Sequence, residues 1–346
     1  MSAIEEVITE APTAAAPSRR GIALASHASL LVLAALVTAP LLLKDFIIFQ
    51  MTMLLIYGLA VLALNILTGS SGQFSLGQSA FYAIGAYTSA ILIEQFGVNY
   101  AVTLPVAGVV CFVAGILFGR PALRLSGIYL ALATFALATA MPQLLKIAYF
   151  EQWTGGVQGI VVTKPDAPLG LPLSQDMWFY YFTLLIAALI YVFAVNLLRS
   201  RSGRALMAVR DNEIAASAMG VDVARYKTLA FGISAGITGV AGGLGAIAVQ
   251  FVAPDSYTIT LAISIFLGMV IGGVGWLPGS LIGAAFIIFV PNIAESVSKG
   301  LSGAVFGVLL FLVIFIVPNG ARDLLKLVQV RPRSNGAEPP ISRGRS

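Results

Sequence analysis

Apolar runs of about 20 residues recur along nearly the whole chain, the length a helix needs to cross a bilayer. Taken between charged residues and Pro/Gly breaks, they number ten: residues 21–43, 46–67, 74–93, 99–119, 125–145, 178–198, 228–250, 258–275, 280–297 and 303–317. In hydrocarbon every backbone N–H and C=O needs an internal partner, so these runs predict an all-α fold, a polytopic membrane helix bundle of about ten spans. Composition agrees. Of 346 residues, 58% are hydrophobic and 10% charged, against roughly 45–50% and about 25% in a soluble domain. The third, ninth and tenth runs are short or rich in Gly and Ser, which marks them as candidates for broken or re-entrant helices.

Three stretches follow from this division. Residues 1–20, rich in Ala, Pro and Glu, cannot build a core and read as a disordered cytoplasmic tail. Residues 21–320 form the transmembrane domain, and 321–346 a cytoplasmic C-terminal tail. Ser18-Arg19-Arg20 before an apolar run could open a twin-arginine export signal, with Val37-Thr38-Ala39 as its cleavage site. The run from Gly21 to Leu43 is too long for a signal core, however, and Pro40 sits where cleavage would occur. If all ten runs cross, sixteen of the twenty Lys and Arg fall on one side and only Lys44, Lys146, Lys164 and Lys299 on the other. The basic side is cytoplasmic, so both termini and residues 199–227 lie inside and the loop 146–177 lies outside. The same distribution explains the net charge of +5 without nucleic acid.

Several functions are excluded by absences in the sequence. No Gly-x-x-x-x-Gly-Lys-[Ser/Thr] occurs, so the chain has no P-loop for ATP. Lys44, Asp45, Glu94, Arg120 and Arg124 fall at run ends and Glu295 near one, which leaves no membrane-centre titrating group for a proton-coupled carrier. The lone Cys111 and lone His27 offer neither a disulfide nor a metal cluster. No paired carboxylates or Ser/His/Asp set provides catalytic machinery, so no catalytic or metal-binding residue is assigned.

Three features point to function. In Gly72-Gln73-Phe74-Ser75-Leu76-Gly77-Gln78-Ser79, polar side chains at 73, 75, 78 and 79 are costly against lipid and should turn inward, towards a solute path or a packed neighbour. Gly72 and Gly77 let the backbone bend and expose polar groups there. A similar glycine hinge at Gly275-Trp276-Leu277-Pro278-Gly279 opens a second small-residue helix, and the two suggest inverted repeats of runs two to five and seven to ten. Glycines four apart at 232/236, 115/119, 268/272, 279/283 and 303/307, with Gly239 and Gly243 further along, predict close helix packing. Finally, residues 203–220 predict a short cytoplasmic helix with Ser202 as N-cap and Gly220 as its stop. On it Leu206, Val209, Ala216 and Met219 form an apolar face, and Arg210, Asp211 and Glu213 supply charges for a partner groove.

Residues 203–220 resemble the coupling loop of bacterial ABC importer permeases, and in wording the LivM-type branched-chain amino acid permeases in particular. Gly72 to Tyr87, Pro121 to Thr134, Thr154 to Gly159 and Gly268 to Gly283 are similar to that family too, so the likeness runs from about residue 46 to 325. Ile214 departs from the general coupling pattern, so only Glu213, Ala216 and Gly220 carry over from it. The resemblance implies an importer subunit without enzymatic activity of its own. Two cytosolic subunits would bind ATP and magnesium, a second and different permease chain would complete a heterodimer in the lipid bilayer, and a periplasmic protein would deliver the solute. Gly72, Gln73, Ser75, Gly77, Gln78 and Ser79 would belong to the translocation path, and Arg210, Asp211, Glu213, Ala216 and Gly220 to ATPase coupling. The solute would be a branched-chain or other hydrophobic amino acid, with urea, a short amide or another small solute as the alternative. Transport in ATP-free vesicles would instead mark a stand-alone channel or sodium-coupled carrier; a membrane enzyme would need a catalytic set that the sequence lacks.

Overall fold

The computed structural model describes residues 44–122, 127–166 and 174–297, and in addition residues 36, 38, 40, 125, 307, 320 and 321. The tails 1–20 and 322–346, nearly all of run 21–43 and run 303–317 except residue 307 lie outside the described residues. The chain divides into two units, Met1–Ile48 and Phe49–Ser346. Of the first, the described part is residues 36, 38 and 40 and the opening turn of helix α1, Asp45–Leu64.

Helices occupy the other eight runs: α1, α2 (Gln78–Glu94), α3 (Tyr100–Ala122), α4 (Ile128–Leu145), α6 (Gln175–Arg199), α9 (Val223–Val249), α10 (Ile259–Gly272) and α11 (Gly279–Val297). Between them lie the short helices α5 (Ala148–Thr154), α7 (Arg201–Asp211) and α8 (Glu213–Ala218). Strands β1 (Ile160–Val161) and β2 (Phe251–Val252) pair antiparallel, and a 3-10 turn spans Pro254–Tyr257. Among the described residues six helical segments, rather than ten, are long and apolar enough to cross a membrane. Run 74–93 falls short because residues 72–77 form no helix and α2 begins only at Gln78. Run 280–297 contributes a shorter apolar stretch, Gly279–Ile293.

Helix α9 is the most buried of the six and lies between α2 and α3. Glycine makes this approach possible. A Cβ on Gly85 would run into the carbonyl of Gly239, and one on Gly242 into the carbonyl of Tyr82. On the α3 side, a Cβ on Gly236 would stand 3.1 Å from the Gly108 oxygen. The α10–α11 hairpin uses the same device: Gly268 faces Gly283, and Gly272 faces Gly279. Of the four-residue glycine pairs read from the sequence, 268/272 and 279/283 meet each other and Gly115 meets Gly232, whereas Gly119 packs on Phe231; Gly303 lies outside the described residues.

Because Gln78 meets Ser234 while Ser89 abuts Gly243, α2 and α9 run parallel and share their two ends. At the start of both lie residues 69–73 and the basic segment 199–227. At the far end, Glu94 Oε1 accepts from the Thr163 backbone N–H at 3.0 Å, and the β1–β2 pair joins residues 160–161 to 251–252. Lys146 and Asp255 form an ion pair there at 2.6 Å. The loop 146–177 and the segment 199–227 are therefore at opposite ends of the α2–α9 pair.

Gly242→Val should destabilise the protein by about 1–3 kcal/mol or more through overpacking, whereas Leu189→Ala on the exposed side of α6 should be near neutral. Thermal aggregation in detergent, followed by size-exclusion chromatography, checks both. A Gly242→Val protein as stable as the parent would mean that α2 and α9 do not touch through their backbones.

Candidate functional site

Helix α1 does not end on a cap. It continues from Asn65 to Ser70 as a π-helix, all six residues buried, and such segments recur at functional sites because they widen and loosen the helical ladder. Residues 72–77 then run without helical hydrogen bonding to the start of α2, with Gly72 at φ +72°, a conformation that disfavours any side chain. The groups freed by this break find local partners. Ser71 Oγ donates to the Leu67 carbonyl (2.7 Å), Thr68 Oγ1 to the Gln73 carbonyl (3.0 Å), and Thr134 Oγ1 of α4 accepts from the Leu76 N–H (2.9 Å).

Gln73, Ser75, Gln78 and Ser79 are all buried, as their cost against lipid predicts. Gln73 Nε2 donates to Ser71 Oγ (3.0 Å) and to the Lys227 carbonyl (3.1 Å) at the base of α9. Ser75 Oγ accepts from the Gly77 N–H at 3.2 Å. Gln78 is engaged through both ends of its amide: Nε2 donates to Ser234 Oγ (3.0 Å) and Oε1 accepts from Thr238 Oγ1 (2.6 Å). Ser234 Oγ in turn donates to the Ala63 carbonyl of α1 at 2.8 Å. Gln78 therefore binds α2 to α9 and, through Ser234, to α1. The Ser79 hydroxyl is buried without a hydrogen-bond partner among the described residues, as are those of Tyr87, Ser89 and Thr183.

The segment 199–227 differs from its sequence reading in two respects. It is two helices, because Asn212 adopts an extended conformation (φ −160°) and caps α8, its Oδ1 accepting from the Ala215 N–H at 3.0 Å. The N-cap of α7 is Ser200 rather than Ser202, Oγ accepting from the Gly203 N–H at 3.3 Å. Leu206, Val209 and Ala216 are buried as the apolar face requires. Met219 is not. It is 85% exposed, with Ile214 at 83%, because the break at Asn212 turns α8 away from the face that α7 buries.

The charges of this segment are also placed. Arg210 Nη1 donates to the Gly69 carbonyl at 2.8 Å, while Nε and Nη2 donate to Asp211 Oδ1 at 2.9 and 2.8 Å. Gly72 packs against the Arg210 side chain, where a Cβ would meet Cγ at 3.1 Å. Glu213 pairs with Lys227 at 2.5 Å. Gly220 takes φ +83°, suited to a residue that stops a helix. Of the residues assigned from sequence to two separate roles, Gly72 and Arg210 are brought into contact, and Gln73 and Glu213 both reach Lys227.

Sequence reasoning missed the residue that extends these contacts. Asn65 Nδ2 donates to the carbonyls of Gly273 (3.2 Å) and Trp276 (3.1 Å), and its Oδ1 accepts from the Gly275 N–H at 2.6 Å. An amide near the end of the apolar run 46–67 was the available signal. Further along α2, Tyr82 stacks between Tyr57 (6.3 Å between centroids) and Tyr257 (5.8 Å), and Tyr87 meets Tyr257 edge-on at 6.2 Å. Cys111 is buried in α3, its thiol 3.4 Å from the Phe81 carbonyl. Among the described residues no three His, Cys, Asp or Glu side chains group into a metal site.

Comparison with known proteins gives a consistent picture. The model of the family described as branched-chain amino acid transport system / permease component matches residues 46–317. The high-affinity branched-chain amino acid transport system permease protein LivM of Salmonella typhimurium and that of Escherichia coli are each 36% identical over 247 residues, covering 65% of this chain and 58% of their own length. The probable branched-chain amino acid transport permease protein LivH of Methanocaldococcus jannaschii is 27% identical over 251 residues, covering 71% of this chain and 77% of its own. No solved structure matches the chain.

Gln78→Leu leaves the Thr238 hydroxyl without its acceptor and Ser234 without its donor, and should cost about 1–3 kcal/mol of stability. Adding Thr238→Val should cost less than the two single changes summed, since both partners are then apolar. Thermal unfolding of the four proteins in detergent reads the cycle; strict additivity would show that the pair does not act as a unit.

Proposed function

The chain belongs to the branched-chain amino acid transport system permease family, and on that premise we propose that it is the membrane-spanning subunit of an ATP-driven importer. Its solute is a branched-chain or other hydrophobic amino acid handed over by a periplasmic binding protein. The observation that carries this reading is the extent of the family match, which takes in both the apolar helices and the whole segment 199–227. Partners follow from the same reading. ATP and magnesium bind on two cytosolic subunits, and the occurrence of both LivM and LivH permeases among the relatives supports a second, different permease chain beside this one.

With α2 and α11 counted as crossings, the ten apolar runs of the sequence give an even number, which keeps both termini on the cytoplasmic side with the basic segment. Closure of the ATPase pair moves α7 and α8, and the bundle alternates between outward- and inward-open states. Ile214 and Met219, exposed and apolar, offer the contact for the ATPase groove. Gly72 to Ser79 form the cytoplasmic end of the path, and opening of the bundle exposes Ser79, whose buried hydroxyl has no hydrogen-bond partner among the described residues. The approach of the hinge at 273–276 to the one after α1 supports the inverted-repeat arrangement.

Purification of the tagged chain from its native membrane in mild detergent should recover a P-loop ATPase and a second permease, with ATP hydrolysis. A well-folded single species without ATPase under equally gentle extraction would overturn the reading. Glu213→Lys sets a second cation beside Lys227 and should abolish ATPase association while leaving membrane insertion intact; a normal complex from that variant would remove Glu213 from the coupling surface.

A further inference from the structure

The residues at which the cytoplasmic segment enters the bundle form a continuous chain. Arg210 at the end of α7 reaches inward with one arm of its guanidinium to the Gly69 carbonyl (2.8 Å), and Asp211 Oδ1 fixes the other nitrogens in a fork. Gly69 lies inside the π-helix, one turn beyond Asn65. A Cβ on Gly69 would stand 2.5 Å from both Asn65 Oδ1 and the Gly275 nitrogen, so no other residue fits between them. Asn65 completes the chain with its three bonds to the turn 273–276, which opens α11. The turn is itself braced: a Cβ on Gly320 would fall 2.6 Å from the Gly273 Cα.

The structure assigns to Arg210, Gly69 and Asn65 the role of a mechanical relay: displacement of α7 is passed through the π-helix to the hinge 273–276, so that both halves of the bundle move together. This rests on the reading of residues 199–227 as the segment that partner ATPases move. It adds a specific route and two positioning residues, neither of which touches solute. Each link suits transmission rather than simple cohesion. The carbonyl that Arg210 holds belongs to a π-helix, an element frequent at functional sites. Asn65 offers both a donor and an acceptor to one short turn, so the turn cannot move without it.

The test uses the complete complex with its ATPases, second permease and binding protein, reconstituted in liposomes and supplied with radiolabelled leucine. Arg210→Lys keeps the charge but loses the fork; Asn65→Asp keeps the acceptor for the Gly275 N–H but loses both donated bonds. Each variant should assemble with the ATPases, because both residues bond inward, while leucine moved per ATP falls roughly tenfold, within the range typical of coupling between sites. The double variant should be no worse than the poorer single one, because the two residues act in series. A parent-like transport-to-hydrolysis ratio in Arg210→Lys overturns the relay. So does loss of ATPase association in that variant, which would make Arg210 a docking residue. Should Asn65→Asp fail to assemble, Arg210→Lys alone decides. A parent complex without ATP-driven uptake overturns the importer reading and the relay with it.

Discussion

A helix that breaks within hydrocarbon must find partners for every backbone group it releases, and the rest of the arrangement depends on how this is met after α1. The π-helix Asn65–Ser70 and the six residues from Gly72 to Gly77 release carbonyls and N–H groups that no helical ladder collects. Thr68 and Thr134 take up two of them. Arg210, from a segment some 140 positions further along the chain, takes a third. The cytoplasmic segment thus satisfies one of the groups that the break releases, beside the contacts that Leu206 and Val209 make with the bundle.

Close backbone packing is the second requirement. With α9 held between α2 and α3 through glycine contacts, there is no room for side chains to cushion a shift of one helix against the next. Gln78 adds a polar tie at the same place, joining α2, α9 and, through Ser234, α1. Movement of the central helices is accordingly expected as rigid elements, with bending confined to the segments that lack helical bonding, 72–77 and 273–278.

Much of this was legible in the sequence, and the reasons for the exceptions are physical. Apolar length located the helices because the bilayer imposes that length, and glycine spacing located their contacts because only glycine permits them. The burial of residues 73, 75, 78 and 79 followed from their cost in lipid. What escaped was partner identity. Gln78 could have faced a solute or a neighbouring helix, and periodicity is the same in both cases; only coordinates show its amide closed by Ser234 and Thr238. The π-helix has no compositional mark, since Asn65, Thr68 and Ser70 read equally well as the end of an ordinary helix. Ser200 and Ser202 are both competent caps, and the choice rests on where α6 ends, at Arg199.

The charges and apolar residues of the cytoplasmic segment divide by direction. Had residues 203–220 formed one helix, Leu206, Val209, Ala216 and Met219 would share a face, and burying it would take Met219 from a partner. The extended residue at Asn212 separates the two tasks. Helix α7 commits Leu206 and Val209 to the bundle and Arg210 to the π-helix, while α8 keeps Ala216 inside and presents Ile214 and Met219 to solvent. Glu213, at the start of α8, is tied back to Lys227 near the start of α9. A segment built in this way can be gripped on its outer side and still transmit force inward, since no side chain has to serve both contacts.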